Sequence, residues 1–262
     1  MGENSGIGWT SHTFNVAWGC VEADDSCDNC YAREQAKRYG WNVWGPGATR
    51  RTFGDTYWAK PLKWDEAARL AGRRARVFSS SMTDLFLNDR TIDSEREKLW
   101  PLIRSTPNLD WQLLTKHPER VLANLPSDWG DGYPNVWFGV TVGYAGGLWR
   151  IPMLQRIPAH VRFLSVEPMT GEIDLRGKLD GIGWVIVGGE SGHHARPMEL
   201  PWAVDVMSRA LDAGAAIFVK QLGTVWSSSR AGHRADPHGT DWTRWPRELR
   251  IRQFPIAIGA AA

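Results

Sequence analysis

The sequence predicts an α/β fold built around a parallel sheet. Short apolar runs alternate with longer helical stretches, which is the pattern of repeated βαβ units. The runs are apolar almost throughout, as strands covered on both faces require. A length of 262 residues fits one α/β barrel. We therefore expect one TIM-type (β/α) barrel domain over residues 1–262 with an irregular C-terminal segment.

Seven strands are predicted along the chain. The first is expected at Thr13–Trp18, before the cysteines. The other six are Arg76–Ser80, Trp111–Thr115, Val136–Val142, Arg162–Val166, Trp184–Val187 and Ala216–Val219. An eighth strand is not evident, which leaves open whether the barrel is complete or incomplete.

Helices are expected between these strands. They are Asp28–Tyr39, Asp93–Ser105, Pro118–Leu125 and Pro201–Ala213, and the last two place proline near the helix start. Two regions show no clear period, Gly40–Leu62 and Thr224–Ile256, and we expect both to be irregular.

Composition and the N-terminus exclude several classes of protein. The net charge of +2 is only mildly basic and falls short of a dedicated nucleic-acid module. No secretory signal is evident, and no apolar run approaches the length of a membrane span. Three cysteines, an odd number, argue against a disulfide framework. We expect a protein of the reducing cytoplasm with no membrane partner.

The three cysteines lie in one short loop, at Cys20, Cys27 and Cys30, with the spacing C-x6-C-x2-C. The irons of a [4Fe–4S] cluster are usually each held by a thiolate, so three cysteines would leave one iron open to another ligand. A structural zinc with His12 as fourth ligand is a competing interpretation. Inert thiols are a third.

Charged and polar side chains follow most of the predicted strands. In α/β barrels the chemistry gathers at the carboxyl ends of the strands, and charges so close to a core need a partner, water or a ligand. Our candidates for contacts with a cofactor or substrate are Asp84, Lys116, Glu167 and Glu190, with Lys220 as a further cation. Ordinary loop capping is the alternative for each of them.

Other polar groups are harder to assign. His193 and His194 could form a proton relay or simply be solvated, and Arg196 could clamp an anion or pair with Glu190. Basic residues with tryptophans nearby occur at Arg50-Arg51, Arg73–Arg76 and Arg244–Arg252. Such mixtures hold single-stranded nucleic acid, although a charged, solvated surface explains the same residues.

An ordered set of motifs extends over almost the whole chain. They are Trp9–Asn15, Gly19-Cys20, Cys27–Ala32, Ser81–Phe86, Leu114–Lys116, Glu167-Pro168, Val187–Gly192, Ala195–Met198 and Lys220-Gln221. In these motifs the chain resembles the phage Gp37/Gp68-type proteins, also called the DUF5131 family. The resemblance implies a phage or bacterial protein with a radical-SAM-like barrel, in the host cytoplasm if phage-encoded. It carries no established reaction.

The radical-SAM-like character implies two cofactors. A [4Fe–4S] cluster on Cys20, Cys27 and Cys30 would bind S-adenosylmethionine (SAM) at its open iron, cleave it and start hydrogen abstraction. An electron donor such as a flavodoxin or ferredoxin would be a partner, and a nucleic acid or nucleotide the substrate. The usual spacing in such enzymes is C-x3-C-x2-C, and their Gly-Gly-Glu stretch follows the second strand.

In this chain Gly188-Gly189-Glu190 follows the sixth strand, and the cysteine loop is longer. The exact pose of the cofactor and the catalytic residues are therefore not assigned. The alternative function is that of a non-catalytic, zinc-stabilised nucleic-acid-binding protein.

Overall fold

Seven strands form one sheet in the order β1-β2-β3-β4-β5-β6-β7 in a computed structural model that describes residues 2–230 and 234–255. The strands are β1 (His12–Thr13), β2 (Ala75–Ser79), β3 (Leu109–Thr115), β4 (Val136–Thr141), β5 (Val161–Val166), β6 (Trp184–Gly188) and β7 (Ala216–Gln221). Six of these overlap the predicted strands closely. Neighbours in sequence are neighbours in the sheet, as successive βαβ units require.

The helices lie mostly between the strands. They are α1 (Tyr31–Arg38), α2 (Asp55–Trp58), α3 (Lys60–Leu70), α4 (Arg90–Arg104), α5 (Arg150–Gln155), α6 (Leu200–Asp212) and α7 (Thr224–Ser228). Over the described residues, none of these helices has both the length and the apolar character needed to cross a bilayer.

The chain divides into two compact units. The first contains the residues up to Ala23, Ala32–Gly139 and Ile157–His160. In it β1, β2 and β3 pair in parallel, with Val77 of β2 between His12 and Trp111. The Trp111 side chain is fully buried, and its indole N–H donates to Thr106 Oγ1 at 3.0 Å. A buried tryptophan keeps its polar atom satisfied in this way.

The second unit contains Asp24–Tyr31, Val140–Arg156 and the chain from Val161 onward. Here β5, β6 and β7 pair in parallel, and Val185 lies between Leu164 and Ile217. All five residues of β6 are buried, which explains its uninterrupted apolar sequence. The helix α6 has proline in its first turn and ends just before Gly214, whose φ is +75°.

The first strand is shorter than predicted. It covers only His12–Thr13 instead of Thr13–Trp18. The reason lies in Asn15, which is buried and whose Oδ1 accepts from the backbone N–H of Met82 at 2.7 Å. A side chain that binds the neighbouring backbone replaces the next rung of the ladder.

The helices differ from the prediction in three places. Two short 3-10 turns, Pro118–Arg120 and Leu122–Asn124, replace the helix expected at Pro118–Leu125. The region Gly40–Leu62 contains α2 and the start of α3. Since α3 buries only Pro61, Trp64 and Ala68, its apolar stripe is too sparse to give a periodic signal. The short α5 was not predicted at all.

The C-terminal segment is largely irregular, as expected. Within the described part of Thr224–Ile256 only α7 and two 3-10 turns, Trp242–Arg244 and Arg247–Leu249, are regular. Residues 231–233 and 256 of that predicted segment lie outside the described residues.

Candidate active site

The first cysteine belongs to the first unit, and a glycine sets its backbone. Gly19 has a φ of +118°, and a Cβ there would lie 2.2 Å from the carbonyl oxygen of Val43. Its N–H donates to the carbonyl of Met82 at 3.0 Å, and its own carbonyl accepts from Thr83 Oγ1 at 2.6 Å. Only glycine fits this position. The backbone entering Cys20 is therefore tied to the loop that follows β2.

Arg50 secures the other side of Cys20. This side chain is buried, and its guanidinium pairs with Asp89 at 2.9 Å. It also donates to the carbonyl oxygens of Val43 at 2.7 Å and Gly45 at 3.2 Å. Five guanidinium donors in a fixed fork suit this role of joining loops. From the sequence, Arg50 belongs to a basic cluster that would face a nucleic acid or solvent. That prediction was wrong, because Arg50 is buried and its guanidinium binds Asp89 and backbone carbonyls inside the fold.

The other two cysteines belong to the second unit and lie on one turn. A 3-10 turn covers Asp25–Cys27, and the Asp24 carboxylate caps it by accepting from the N–H of Ser26 at 2.9 Å. The N–H of Cys30 then donates to the carbonyl of Cys27 at 3.1 Å. Cys27 is buried and Cys30 is half-buried. The turn therefore sets these two thiols three positions apart on a fixed backbone.

Arg150 holds the start of that turn. Its guanidinium pairs with the Asp24 carboxylate at 2.5 Å, and the two side chains are 3% and 10% exposed. A second nitrogen donates to the carbonyl of Thr141 at the end of β4, at 3.2 Å. Sequence analysis missed both Asp24 and Arg150. No local signal marks them, since neither follows an apolar run and they are far apart in the chain.

Glu190 is paired with Arg196 in a two-pronged ion pair. The Arg196 guanidinium donates to Oε1 at 2.7 Å and to Oε2 at 3.1 Å, and its backbone N–H donates to Oε2 at 2.7 Å. Asn29 adds a donor at 3.0 Å. Burial raises the pKa of Glu190, but these hydrogen bonds from Arg196 and Asn29 outweigh it, so the pKa lies below the ordinary 4.5.

The same pair is linked to the cysteine turn. Arg196 donates to the carbonyl of Asp25 at 2.8 Å and to the carboxylate of Asp28 at 3.2 Å. The amide of Asn29 bridges Glu190 and the carbonyl of His194. Of the two interpretations of Arg196, the ion pair with Glu190 is the one observed. His193 and His194 are exposed, with their rings 4.6 Å apart.

Glu167 and Lys220 form an ion pair at the ends of β5 and β7. Their side chains are 15% and 20% exposed, so both remain partly open to solvent. A Cβ on Gly188 would lie 3.2 Å from the Glu167 side chain, so this glycine makes room for the carboxylate. Two candidates from different strands thus meet, as strand ends of a parallel sheet should.

Asp84 and Lys116 meet in the first unit through the backbone of Lys116. The Asp84 carboxylate accepts from the N–H of Phe86 at 2.9 Å, from Thr115 Oγ1 at 2.7 Å and from the N–H of Lys116 at 2.7 Å. This carboxylate therefore ties the end of β2 to the end of β3. Its contacts match the capping alternative, while the Lys116 side chain is half-buried.

Across residues 2–230 and 234–255, no three His, Cys, Asp or Glu side chains form a group that could hold a metal ion. None of the three cysteines forms a disulfide, and three thiolates are a donor set that fits an iron–sulfur cluster. His12, the fourth ligand of the zinc interpretation, stacks on Trp64 at 4.5 Å, and its Nδ1 accepts from the N–H of Asn4. A shared centre on Cys20, Cys27 and Cys30 stays a prediction.

Comparison with solved structures identifies the fold class. A variant of spore photoproduct lyase has a TM-score of 0.54 at 12% identity, and the match covers 84% of this chain and 79% of that one. A second variant has a TM-score of 0.50 at 11% identity with the same coverage. A third, with bound AdoMet and dinucleoside spore photoproduct, has a TM-score of 0.46 at 12% identity, and the match covers 79% of this chain but only 65% of that one.

These likenesses concern the fold alone. They confirm the expected α/β class of the TIM-barrel type, in an incomplete form, since the described residues contain seven strands instead of eight.

Comparison with protein sequences identifies the family. A search of curated proteins finds no match. The model of the DUF5131 family, described as proteins of unknown function, matches residues 4–246, and this match does not carry the phage Gp37/Gp68 name. The ordered motifs that suggested this family lie within that range. The chain therefore belongs to the DUF5131 family.

Proposed function

We propose that this chain is a radical-SAM-type enzyme whose Cys20, Cys27 and Cys30 hold a [4Fe–4S] cluster. The observation that carries the proposal is the position of the three-cysteine loop. It begins shortly after β1, on a fold shared with an enzyme, spore photoproduct lyase. Chemistry in α/β barrels gathers at the ends of the strands. When bound, such a cluster supplies the electron that opens SAM and starts hydrogen abstraction.

The residues around the cysteines have the task of holding the thiols in fixed positions. Gly19 and Arg50 restrain the backbone at Cys20. The cap of Asp24 with Arg150, and the contacts of Arg196, restrain the turn that bears Cys27 and Cys30. Preorganised ligands of this kind lower the entropy lost when a metal binds. The two arginines also offset the negative charge of the acidic turn.

The four residues predicted to contact the cofactor divide into two pairs. The carboxylates of Asp84 and Glu190 are occupied by donors of the chain itself, which favours a positioning role for both. Lys116 and Glu167, with side chains half-buried at strand ends, remain the candidates for contact with SAM or substrate. Lys220 pairs with Glu167, and its ammonium has the charge to bind a carboxylate of SAM or substrate instead of Glu167. The electron donor would be a flavodoxin or ferredoxin.

Anaerobic reconstitution with iron and sulfide tests the proposal. We expect about four irons and four sulfides per chain, a paramagnetic signal on reduction that changes when SAM is added, and formation of 5′-deoxyadenosine. Cys27→Ala should lose the cluster. His12→Ala, the control for the zinc interpretation, should keep it. One zinc per chain with no cleavage of SAM after reconstitution would overturn the proposal, as would a full cluster in Cys27→Ala.

A further inference from the structure

A set of aromatic side chains in the first unit has no role in the function proposed above. Tyr39, Trp18, Phe53 and Tyr57 follow one another with ring centroids 5.9, 6.3 and 4.2 Å apart. We call these four rings, together with Trp41, the aromatic stripe. Trp41 joins the set through a shared arginine, described next. In sequence, the first residue of the stripe is Trp18, which lies two positions before Cys20.

Arg51 lies within the aromatic stripe. Its guanidinium carbon is 5.0 Å from the ring centroid of Trp18, 4.5 Å from Trp41 and 5.1 Å from Phe53. The backbones of Trp18 and Arg51 exchange two hydrogen bonds at 2.8 and 3.0 Å, which fixes the arginine beside the rings. A guanidinium over several ring faces is held in one plane, ready to stack or to receive a phosphate.

The stripe is more exposed than folding requires. Tyr39 is 63% exposed and Trp41 is 43% exposed, although both belong to one cluster. Single exposed aromatic residues are ordinary, but a group of them beside a cation indicates a binding surface. At the inner end Phe14 covers Tyr57, at 5.0 Å between centroids, so the stripe runs from the core to the surface.

The charges along the stripe favour a polyanion over an apolar partner. Besides Arg51, Lys60 places its ammonium 5.2 Å from the ring of Tyr57. Lys37 and Arg38 directly precede Tyr39 at the end of α1, where Glu34 pairs with Lys37. Asp55 is the exposed acid of the neighbouring α2. Aromatic faces interleaved with cations are how single-stranded nucleic acids are held.

We propose that the aromatic stripe binds single-stranded nucleic acid, with bases stacked on Tyr39 and Trp41 and phosphates near Arg51 and Lys60. The proposal selects one of the three basic clusters that the sequence offered for nucleic-acid binding. Arg50 is buried, Arg74 pairs with Asp110 at 2.8 Å and Trp245 is 1% exposed. That this nucleic acid is the substrate rests on the proposed function. Binding of the nucleic acid by itself does not require the iron–sulfur cluster.

Fluorescence anisotropy with a labelled oligothymidylate of about 15 nucleotides tests the proposal on protein without iron. We expect Trp41→Ala and Tyr39→Ala each to weaken binding about tenfold, since each removes one stacking face. Arg51→Lys keeps the charge but loses the planar guanidinium, and should weaken binding several-fold. Affinity should fall steeply between about 50 and 200 mM salt.

Trp149→Ala is the matched control, because Trp149 is 46% exposed and has the Arg150 guanidinium 5.3 Å from its ring but lies in the other unit. It should bind like the unaltered chain. Absence of binding by the unaltered protein, an equal loss in Trp149→Ala, or unchanged affinity in Trp41→Ala would each overturn the inference. Because iron is not involved, failure here leaves the reconstitution result standing, and the reverse also holds.

Discussion

Arg196→Ala is the sharpest test of how the cysteine turn is held. The substitution removes the two guanidinium hydrogen bonds to Glu190 and the two that reach Asp25 and Asp28. It leaves Glu190, which is 4% exposed, with the backbone N–H of residue 196 and the amide of Asn29 as donors. The carboxylate is thus stripped of its cation but not of every partner.

The magnitude follows from that burial. Breaking a fully buried ion pair costs about 3–5 kcal/mol. The Arg196 side chain is 29% exposed, so water can replace part of the interaction. We therefore expect a loss of about 2 kcal/mol, the range of a hydrogen bond to a charged group. Arg176→Ala is the control, since Arg176 makes a similar two-pronged pair with Asp174 on the surface, where water already screens both charges.

Urea denaturation with hydrogen exchange of the turn measures this effect. The backbone N–H groups of Cys27 and Cys30 should exchange faster in Arg196→Ala than in the unaltered chain. In Arg176→Ala their exchange rates should equal those of the unaltered chain. The pKa of Glu190 also sets how the stability of the protein depends on pH. Because Arg196 and Asn29 hold the pKa of Glu190 below 4.5, its contribution to stability is complete above that pH and is lost as pH falls through the folded-state pKa. Equal stability of the two variants, or turn exchange unchanged in Arg196→Ala, would refute the reasoning.

Three further outcomes are expected. Gly19→Ala should lower the free energy of unfolding by about 3 kcal/mol, because the new Cβ would lie 2.2 Å from the carbonyl oxygen of Val43. Gly40→Ala is the control: φ is +74° there but the space is open, so the free energy of unfolding should fall by only about 1 kcal/mol in the same denaturation assay. Burial raises the pKa of Tyr57 to about 12, and burial with a hydrogen bond to Asp128 raises that of Tyr133 to about 12, so Tyr57→Phe should lower the amplitude of the latest step of the ultraviolet titration by one tyrosine without abolishing it. Arg50→Ala should cost about 3 kcal/mol, since it leaves buried carbonyls unpaired, and a melting temperature equal to that of the unaltered chain would contradict the anchoring role.

The linear sequence was sufficient for six of the seven strands but not for the extent of β1 or for every helix. Apolar runs such as Trp184–Val187 predict strands because a strand buried on both faces must be apolar throughout. The helix α3 escaped prediction because only Pro61, Trp64 and Ala68 are buried. The end of β1 escaped because Asn15, a buried side chain, takes over the hydrogen bonding of the backbone.

The candidate site could likewise be predicted from the sequence only in part. Sequence alone determined that the cysteines share one loop and that charged residues stand at the strand ends, because both are statements about neighbours in the chain. Only the tertiary structure decided the partners: Glu190 binds Asn29 across 161 positions and Lys220 meets Glu167 across 53. Such contacts depend on which loops the sheet order brings together, and a partner that distant leaves no periodic trace in the sequence.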